Sequence, residues 1–137
     1  MIHFDLTNKE FRRLLDLVYV GNWILNSARG EERFTDYDDV ESLIFAQCLQ
    51  QSGMDQLFDI CDGVITPSQA FRDGGIHEAI MDYEDTVFFE ILAEELARRD
   101  MEFEPIDSSN YNELASRIDE YIAEFEENGV DNITLDK

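Results

Sequence analysis

The sequence predicts a mainly α-helical fold, an irregular bundle of about five helices that forms one acidic domain over residues 1–137. Three observations predict this fold. Apolar residues recur at helical spacing over most of the chain. Residues that cap helix starts precede several of these stretches, and only seven Gly and two Pro interrupt the chain. Apolar residues make up 44% of the composition, which is enough for one core.

The first predicted helix begins after Thr7, where Thr7 and Glu10 have the spacing of a capping box. Apolar residues then follow on two sides of the helix. One row is Phe11, Leu14, Leu15, Val18 and Leu25, and the other is Leu17, Gly21, Ile24 and Ala28. So broad an apolar surface predicts a helix that neighbouring elements surround.

The middle of the chain predicts shorter elements. A second helix begins near Thr35 or Asp36, and Gly53 is a natural end for it. Residues 54–62 fit a short third helix that Gly63 closes. Residues 66–69 have the pattern of a capping box with Pro67 at the first helical position, which predicts one further helical turn.

The longest helix is predicted from about Ile76 to Asp100, because two adjacent apolar rows continue through this range. Asn110 and Glu113 form a capping box for a last helix, which Gly129 ends. Residues 2–6, 101–106 and 130–135 alternate like short strands. We therefore also expect a small β-ribbon made from the chain ends.

The net charge of −22 limits the classes of partner. Residues 36–137 carry 27 acidic residues against five basic ones, so the later helices hold the whole excess. Such a chain is repelled by nucleic acid and by anionic lipid, and we expect it to bind neither directly. No apolar run approaches the roughly 20 residues of a membrane span, so we expect a soluble protein.

The sequence offers no motif for catalysis, for a metal or for a cofactor. We expect no metal and no cofactor, and we assign no catalytic residue. His3 and His77 are far apart, and neither follows a Glu by three residues as di-iron bundles require. Cys48 and Cys61 lie among apolar residues, which predicts buried, unreactive thiols in a reducing compartment. The N-terminus lacks the pattern of a signal peptide, so we expect a cytoplasmic protein.

The acidic residues of the last two helices are the first candidate site. They form rows of negative charge suited to a basic protein partner, and a special case of this interpretation is that they mimic a nucleic acid. The predicted partner-binding residues are Glu78, Asp82, Asp85, Glu90, Glu94, Glu95, Asp119, Glu120 and Glu124. A solvated face that keeps the protein soluble is the simpler interpretation of the same residues.

A pocket in the helical core is the second candidate site. Asn22 falls on the main apolar row of the first helix, where a buried amide must find hydrogen-bond partners. The candidate pocket residues are Tyr19, Asn22, Trp23 and His77. Three roles stay open: a non-enzymatic binding module, a small-ligand protein or unusual enzyme, and a structural or oligomer-forming protein. A homodimer would cover apolar surface that 137 residues cannot easily enclose.

Overall fold

The structure, a computed structural model, describes residues 1–136, and Lys137, the last residue of the predicted domain, lies outside the described residues. Within them the chain forms five α-helices and one two-stranded antiparallel sheet, which confirms the predicted fold class. The elements are α1 (Asn8–Asn26), α2 (Thr35–Ala46), β1 (Phe58–Cys61), β2 (Val64–Pro67), α3 (Gln69–Arg72), α4 (Ile76–Asp100) and α5 (Tyr111–Asn128). Short 3-10 turns cover Gln47–Gln50 and Asp55–Leu57.

The chain divides into two compact units, an N-terminal unit of residues 1–80 and a C-terminal unit of residues 81–137. Each unit is described by itself. The single domain expected from the sequence stays a prediction.

The capping box at the start of α1 is confirmed. The Glu10 amide donates to Thr7 Oγ1 at 3.2 Å, and the Thr7 amide donates to Glu10 Oε2 at 2.8 Å. These bonds satisfy two amides that the helix itself leaves without partners. The bond from the Thr7 amide, with a second one from the Thr7 hydroxyl at 3.0 Å, holds the pKa of the Glu10 carboxyl below its usual value.

The β-ribbon comes from residues 58–67 and not from the chain ends. β1 pairs with β2 in a tight hairpin that turns at Asp62 and Gly63, whose φ angles are 50° and 77°. Two consecutive positive φ angles are the geometry of the hairpin turn that Asp-Gly favours. The helix predicted over residues 54–62 is therefore wrong, since only Asp55–Leu57 form a helical turn.

Two other helix starts also differ from the prediction. α3 begins two residues later than the Thr66 capping box implies, because Pro67 belongs to β2 and Ser68 caps the helix by accepting from the Phe71 amide. At α5, Asn110 is the N-cap residue, but its side chain accepts from the Asp107 amide and donates to the Pro105 carbonyl. Asn110 thus ties the preceding loop instead of capping α5.

The core of the N-terminal unit lies between α1, α2, the hairpin and α3. Its buried members are Leu15, Phe45, Cys48, Met54, Phe58 and Phe71. The side chain of Phe58, the first residue of β1, stacks on Phe45 with ring centroids 4.2 Å apart. From the first apolar row of α1, Leu15 is buried here and Phe11 and Val18 pack against this core. Leu17 and Ile24 of the second row remain exposed. The expectation that neighbouring elements surround α1 is therefore wrong for the chain as described.

The C-terminal unit consists of the rest of α4, the connection to α5, and α5 itself. Ala97, Met101 and Leu114 form its buried cluster near that connection. Further from the connection, Phe89 of α4 meets Phe125 of α5 with ring centroids 5.4 Å apart. The two helices therefore run antiparallel as a helical hairpin.

Candidate functional site

The predicted acidic residues in the C-terminal unit lie on the surfaces of α4 and α5. Seven of these side chains are exposed and Glu124 is half-buried. We call this set of eight the acidic face: Asp82, Asp85, Glu90, Glu94, Glu95, Asp119, Glu120 and Glu124. Glu78, the ninth predicted residue, is also exposed but belongs to the N-terminal unit.

The arginines of the C-terminal unit each pair with a carboxylate of their own helix or its end. Arg98 meets Glu94 at 3.2 Å, Arg99 meets Asp100 at 3.0 Å, and Arg117 meets Glu113 at 3.0 Å. These are surface pairs, which contribute little to stability. The unit holds 18 acidic residues against four basic ones, so most of its carboxylates keep their charge uncompensated.

Carboxylates of both helices line a groove of about 330 Å³ between α4 and α5. Phe89, Ile122 and Phe125 form its apolar floor, and Thr86 lies beside them. Its acidic rim is Asp85 and Glu90 from α4 and Glu126 from α5. Of the rim residues, Asp85 and Glu90 belong to the predicted site, while Glu126 does not.

The candidate pocket residues of the N-terminal unit make two separate sets of contacts. In the first, Tyr19, Trp23 and His77 form an aromatic cluster. The Tyr19 hydroxyl is hydrogen-bonded to His77 Nε2 at 3.1 Å. The Trp23 and His77 rings meet edge to face with centroids 5.7 Å apart, a favourable arrangement for such rings. α1 supplies the first two residues one helical turn apart, and α4 supplies the third.

In the second set, the Asn22 side chain is hydrogen-bonded in a polar network with α2. The Asn22 amide donates to Asp38 Oδ1 at 3.0 Å and accepts from Asn26 Nδ2 at 2.7 Å. Arg33 binds both Asp38 oxygens, at 2.7 Å and 2.8 Å. The bonds from Arg33 and Asn22 lower the pKa of Asp38 to about 2, since they favour its charged form.

Asn26 is the buried polar residue at the centre of this network, with only 2% of its surface exposed. Its amide donates to the Phe34 carbonyl at 3.1 Å, and its oxygen accepts from the Phe34 amide at 2.7 Å. Asn26 thus ties α1 to the loop that follows it, whereas Asn22, the amide singled out in the sequence, bonds Asp38 of α2. The sequence does contain a signal for the role of Asn26, because a spacing of four residues places Asn26 on the same helix face as Asn22.

An open pocket of about 240 Å³ lies beside this network. Its lining residues are Tyr19, Asn22, Trp23, Asn26, Ser27, Arg33 and Glu41. Burial raises the pKa of the Glu41 carboxyl, and nearby Asp38 adds to the rise while Asn22 opposes it. Burial also raises the pKa of Tyr19, and the Glu41 charge adds to that. His77 contacts Tyr19 from outside this pocket, so the four predicted residues do not share one lining.

The two cysteines differ in their surroundings. Cys48 is buried in the core, and burial raises the pKa of its thiol to about 11, so it stays protonated and inert. Cys61 is exposed at the end of β1, which corrects the expectation that both thiols are buried. Over residues 1–136, His, Cys, Asp and Glu side chains do not gather in groups of three or more that could hold a metal ion.

Comparisons of the chain with protein-family models, with curated proteins and with solved structures found no match. In the part of the chain that the structure describes, no helix combines the length and the apolar character needed to cross a membrane.

Proposed function

We propose that the chain is a non-enzymatic acidic binding module that engages a basic protein partner through the acidic face. The observation that carries the proposal is the excess of exposed carboxylates in the C-terminal unit, whose described arginines each pair with a local acid. A surface of one sign speeds the encounter with a partner of the opposite sign and rejects partners of its own sign.

Binding of a basic probe at two salt concentrations tests this proposal. A fluorescein-labelled oligolysine peptide should raise its anisotropy on binding, and its affinity should fall steeply between about 10 mM and about 150 mM NaCl as the screening length shortens. An oligoglutamate peptide of equal length is the negative control. Oligolysine that fails to bind at low salt, or binds independently of salt, contradicts the proposal.

Two matched variants test whether oligolysine binds at the acidic face. Asp82→Asn, Glu95→Gln, Asp119→Asn and Glu120→Gln together remove four charges from the acidic face. Glu31→Gln, Glu32→Gln, Asp55→Asn and Asp59→Asn remove four charges from exposed positions of the N-terminal unit. The first variant should weaken oligolysine binding more than the second. Equal losses would mean that net charge alone, and not this surface, attracts the probe.

A nucleic-acid mimic is a special case of this proposal. Carboxylates one helical turn apart are separated by about 5–6 Å, while phosphates of one DNA strand are about 3.4 Å apart along the axis. Both are closely spaced rows of negative charge. If the acidic face mimics DNA, a basic DNA-binding domain bound to the chain should be released by duplex DNA in a competition assay.

Small-ligand binding is the second candidate function, and the pocket of about 240 Å³ beside Asn22 favours it. Two aromatic side chains and the half-buried Glu41 carboxyl suit a small ligand with an apolar body and a cationic group. Trp23 is the only tryptophan, so its fluorescence reports on this pocket directly. Aromatic amines such as tyramine should change it saturably, and Glu41→Gln should abolish that change.

We also infer that two copies associate through the second apolar row of α1. Leu17 and Ile24 are exposed in this row. Among the described residues, the space beside Gly21 that a Cβ atom would occupy has no neighbouring atom within 4 Å. The face is therefore open to close approach by another helix. Sedimentation equilibrium should show a dimer, and Ile24→Glu should shift it to monomer. A monomeric parent chain at high concentration contradicts this.

A cytoplasmic location is part of the same proposal. What supports it is that Cys48 and Cys61 are both free thiols, as is usual in a reducing compartment. Fractionation of cells that express the chain with an internal tag would test it.

A further inference from the structure

We infer that the groove between α4 and α5 receives an apolar side chain from a basic amphipathic helix of the partner. This inference rests on the proposed function and names the kind of segment that the acidic face would bind. It goes beyond simple charge attraction, because the groove adds an apolar contact beside carboxylates of both helices.

The floor of the groove is suited to an apolar side chain. Phe89 and Phe125 pack against each other with ring centroids 5.4 Å apart, and Ile122 lies one turn before Phe125 on α5. The groove volume of about 330 Å³ is larger than the roughly 150 Å³ cavity that holds a benzene molecule. One leucine or phenylalanine side chain therefore fits, and its transfer from water would stabilise the complex.

The rim determines the charge of the occupant. Asp85, Glu90 and Glu126 line the groove together with the floor residues, and all three side chains are exposed. An apolar segment without charge would leave these carboxylates facing it uncompensated, whereas lysine or arginine flanking an apolar residue would meet them. Their long apolar stems can also lie along the groove while the charged ends reach the rim.

The conformation of the occupant follows from the elements that form the groove. Its lining residues all belong to α4 or α5, so their backbone groups are already used in helical hydrogen bonds. A strand added by backbone pairing therefore has no partner edge at this place. An amphipathic helix binds such a groove by its side chains alone, with apolar anchors one turn apart.

Charge complementarity also selects among other occupants. A nucleic acid or an anionic membrane would bring phosphates against three carboxylates, which repel them. A second copy of this chain carries a net charge of −22 and would bring more negative charge to the same rim. A basic protein segment is the occupant that this rim favours.

Two synthetic peptides test the inference with the full chain. Each has about 18 residues, or about five helical turns, and the same number of lysines. The first peptide places leucines at helical spacing on one face, and the second has serine in place of each leucine. Isothermal titration calorimetry should show that the leucine peptide binds more tightly, with a negative heat-capacity change from apolar burial.

Matched variants then locate the binding. Asp85→Asn, Glu90→Gln and Glu126→Gln together neutralise the rim. Asp82→Asn, Glu84→Gln and Glu127→Gln together remove the same charges from exposed positions of the same helices outside the groove lining. The rim variant should reduce the affinity for the leucine peptide by about tenfold or more, and the control variant should reduce it by about threefold at most. Ile122→Ser should reduce the preference for leucine over serine, and circular dichroism should show that it keeps its helices.

The outcomes separate this inference from the proposed function. Equal affinity for the two peptides, or equal losses in the rim and control variants, overturns the inference about the groove. The proposal that the acidic face binds a basic partner would still stand. Failure of both peptides to bind at low salt overturns both proposals. If the rim variant instead changes the sedimentation of the chain alone, the groove is occupied by a second copy and the inference is wrong.

Discussion

Replacing Asn26 with alanine should destabilise the N-terminal unit by about 2–3 kcal/mol. The Asn26 amide bonds the Phe34 amide at 2.7 Å, the Phe34 carbonyl at 3.1 Å and Asn22 Oδ1 at 2.7 Å. Alanine would leave these three groups without that partner. An unsatisfied buried polar group costs about 1–3 kcal/mol, and about 1 kcal/mol or less applies to each group here because Phe34 and Asn22 are less buried than Asn26. Three such groups together give about 2–3 kcal/mol.

Urea-induced unfolding followed by the fluorescence of Trp23 measures this change. Trp23 is the only tryptophan and lies in the N-terminal unit, so its signal reports on that unit. Asn8→Ala is the matched control, since Asn8 is exposed on the same helix and such changes stay within about 0.5 kcal/mol. If Asn26→Ala falls within that same range, the network does not hold the loop to α1, and the reasoning is refuted.

Three further predictions follow from the charges and thiols. Asp38 has its pKa lowered to about 2, below its value in an unfolded chain, so its contribution to stability is present above about pH 4 and lost as pH falls toward 2. The urea midpoint of the parent chain should fall more over that range than the midpoint of Asp38→Asn; parallel curves would contradict this. The thermal midpoint should rise between about 10 mM and about 150 mM NaCl, because screening relieves the repulsion within a chain of net charge −22. A midpoint that falls or stays constant in calorimetry would count against an uncompensated acidic surface. Ellman's reagent should react quickly with Cys61 and with Cys48 only after unfolding, and Cys61→Ser should remove the fast phase; a fast phase that survives this change would show that Cys48 is accessible.

The long helices could be predicted from the sequence because their signals are local and repeated. α4 has the predicted bounds Ile76–Asp100, since its apolar rows continue over seven turns after the Gly74-Gly75 break. The β-hairpin was missed because Met54, Leu57, Phe58 and Cys61 also fit helical spacing. Asp62-Gly63 was the contrary signal, as this dipeptide favours the turn of a tight hairpin.

The contacts between distant residues could not be predicted. Asn22 and Trp23 attract attention on α1, but nothing in their own segment indicates that Asp38 and Glu41 of α2 lie beside them. The acids at the start of α2 have a sufficient local explanation, the positive end of the helix dipole. Only the fold shows that Asp38 also binds Arg33 and Asn22.

Solubility alone explains the carboxylates of the C-terminal unit but not the apolar groups beside them. A surface that only needs to stay in solution is better served by charges of both signs and by few exposed aromatic residues. Here Phe88 and Ile91 of α4 are exposed by 52% and 56%, and the groove exposes an apolar floor within an acidic rim. Repulsion among the carboxylates makes the unit less stable, and the uncovered apolar groups favour association. The basic amphipathic partner that we propose would relieve both at once, because its charges would neutralise the carboxylates while its apolar face would cover the groove.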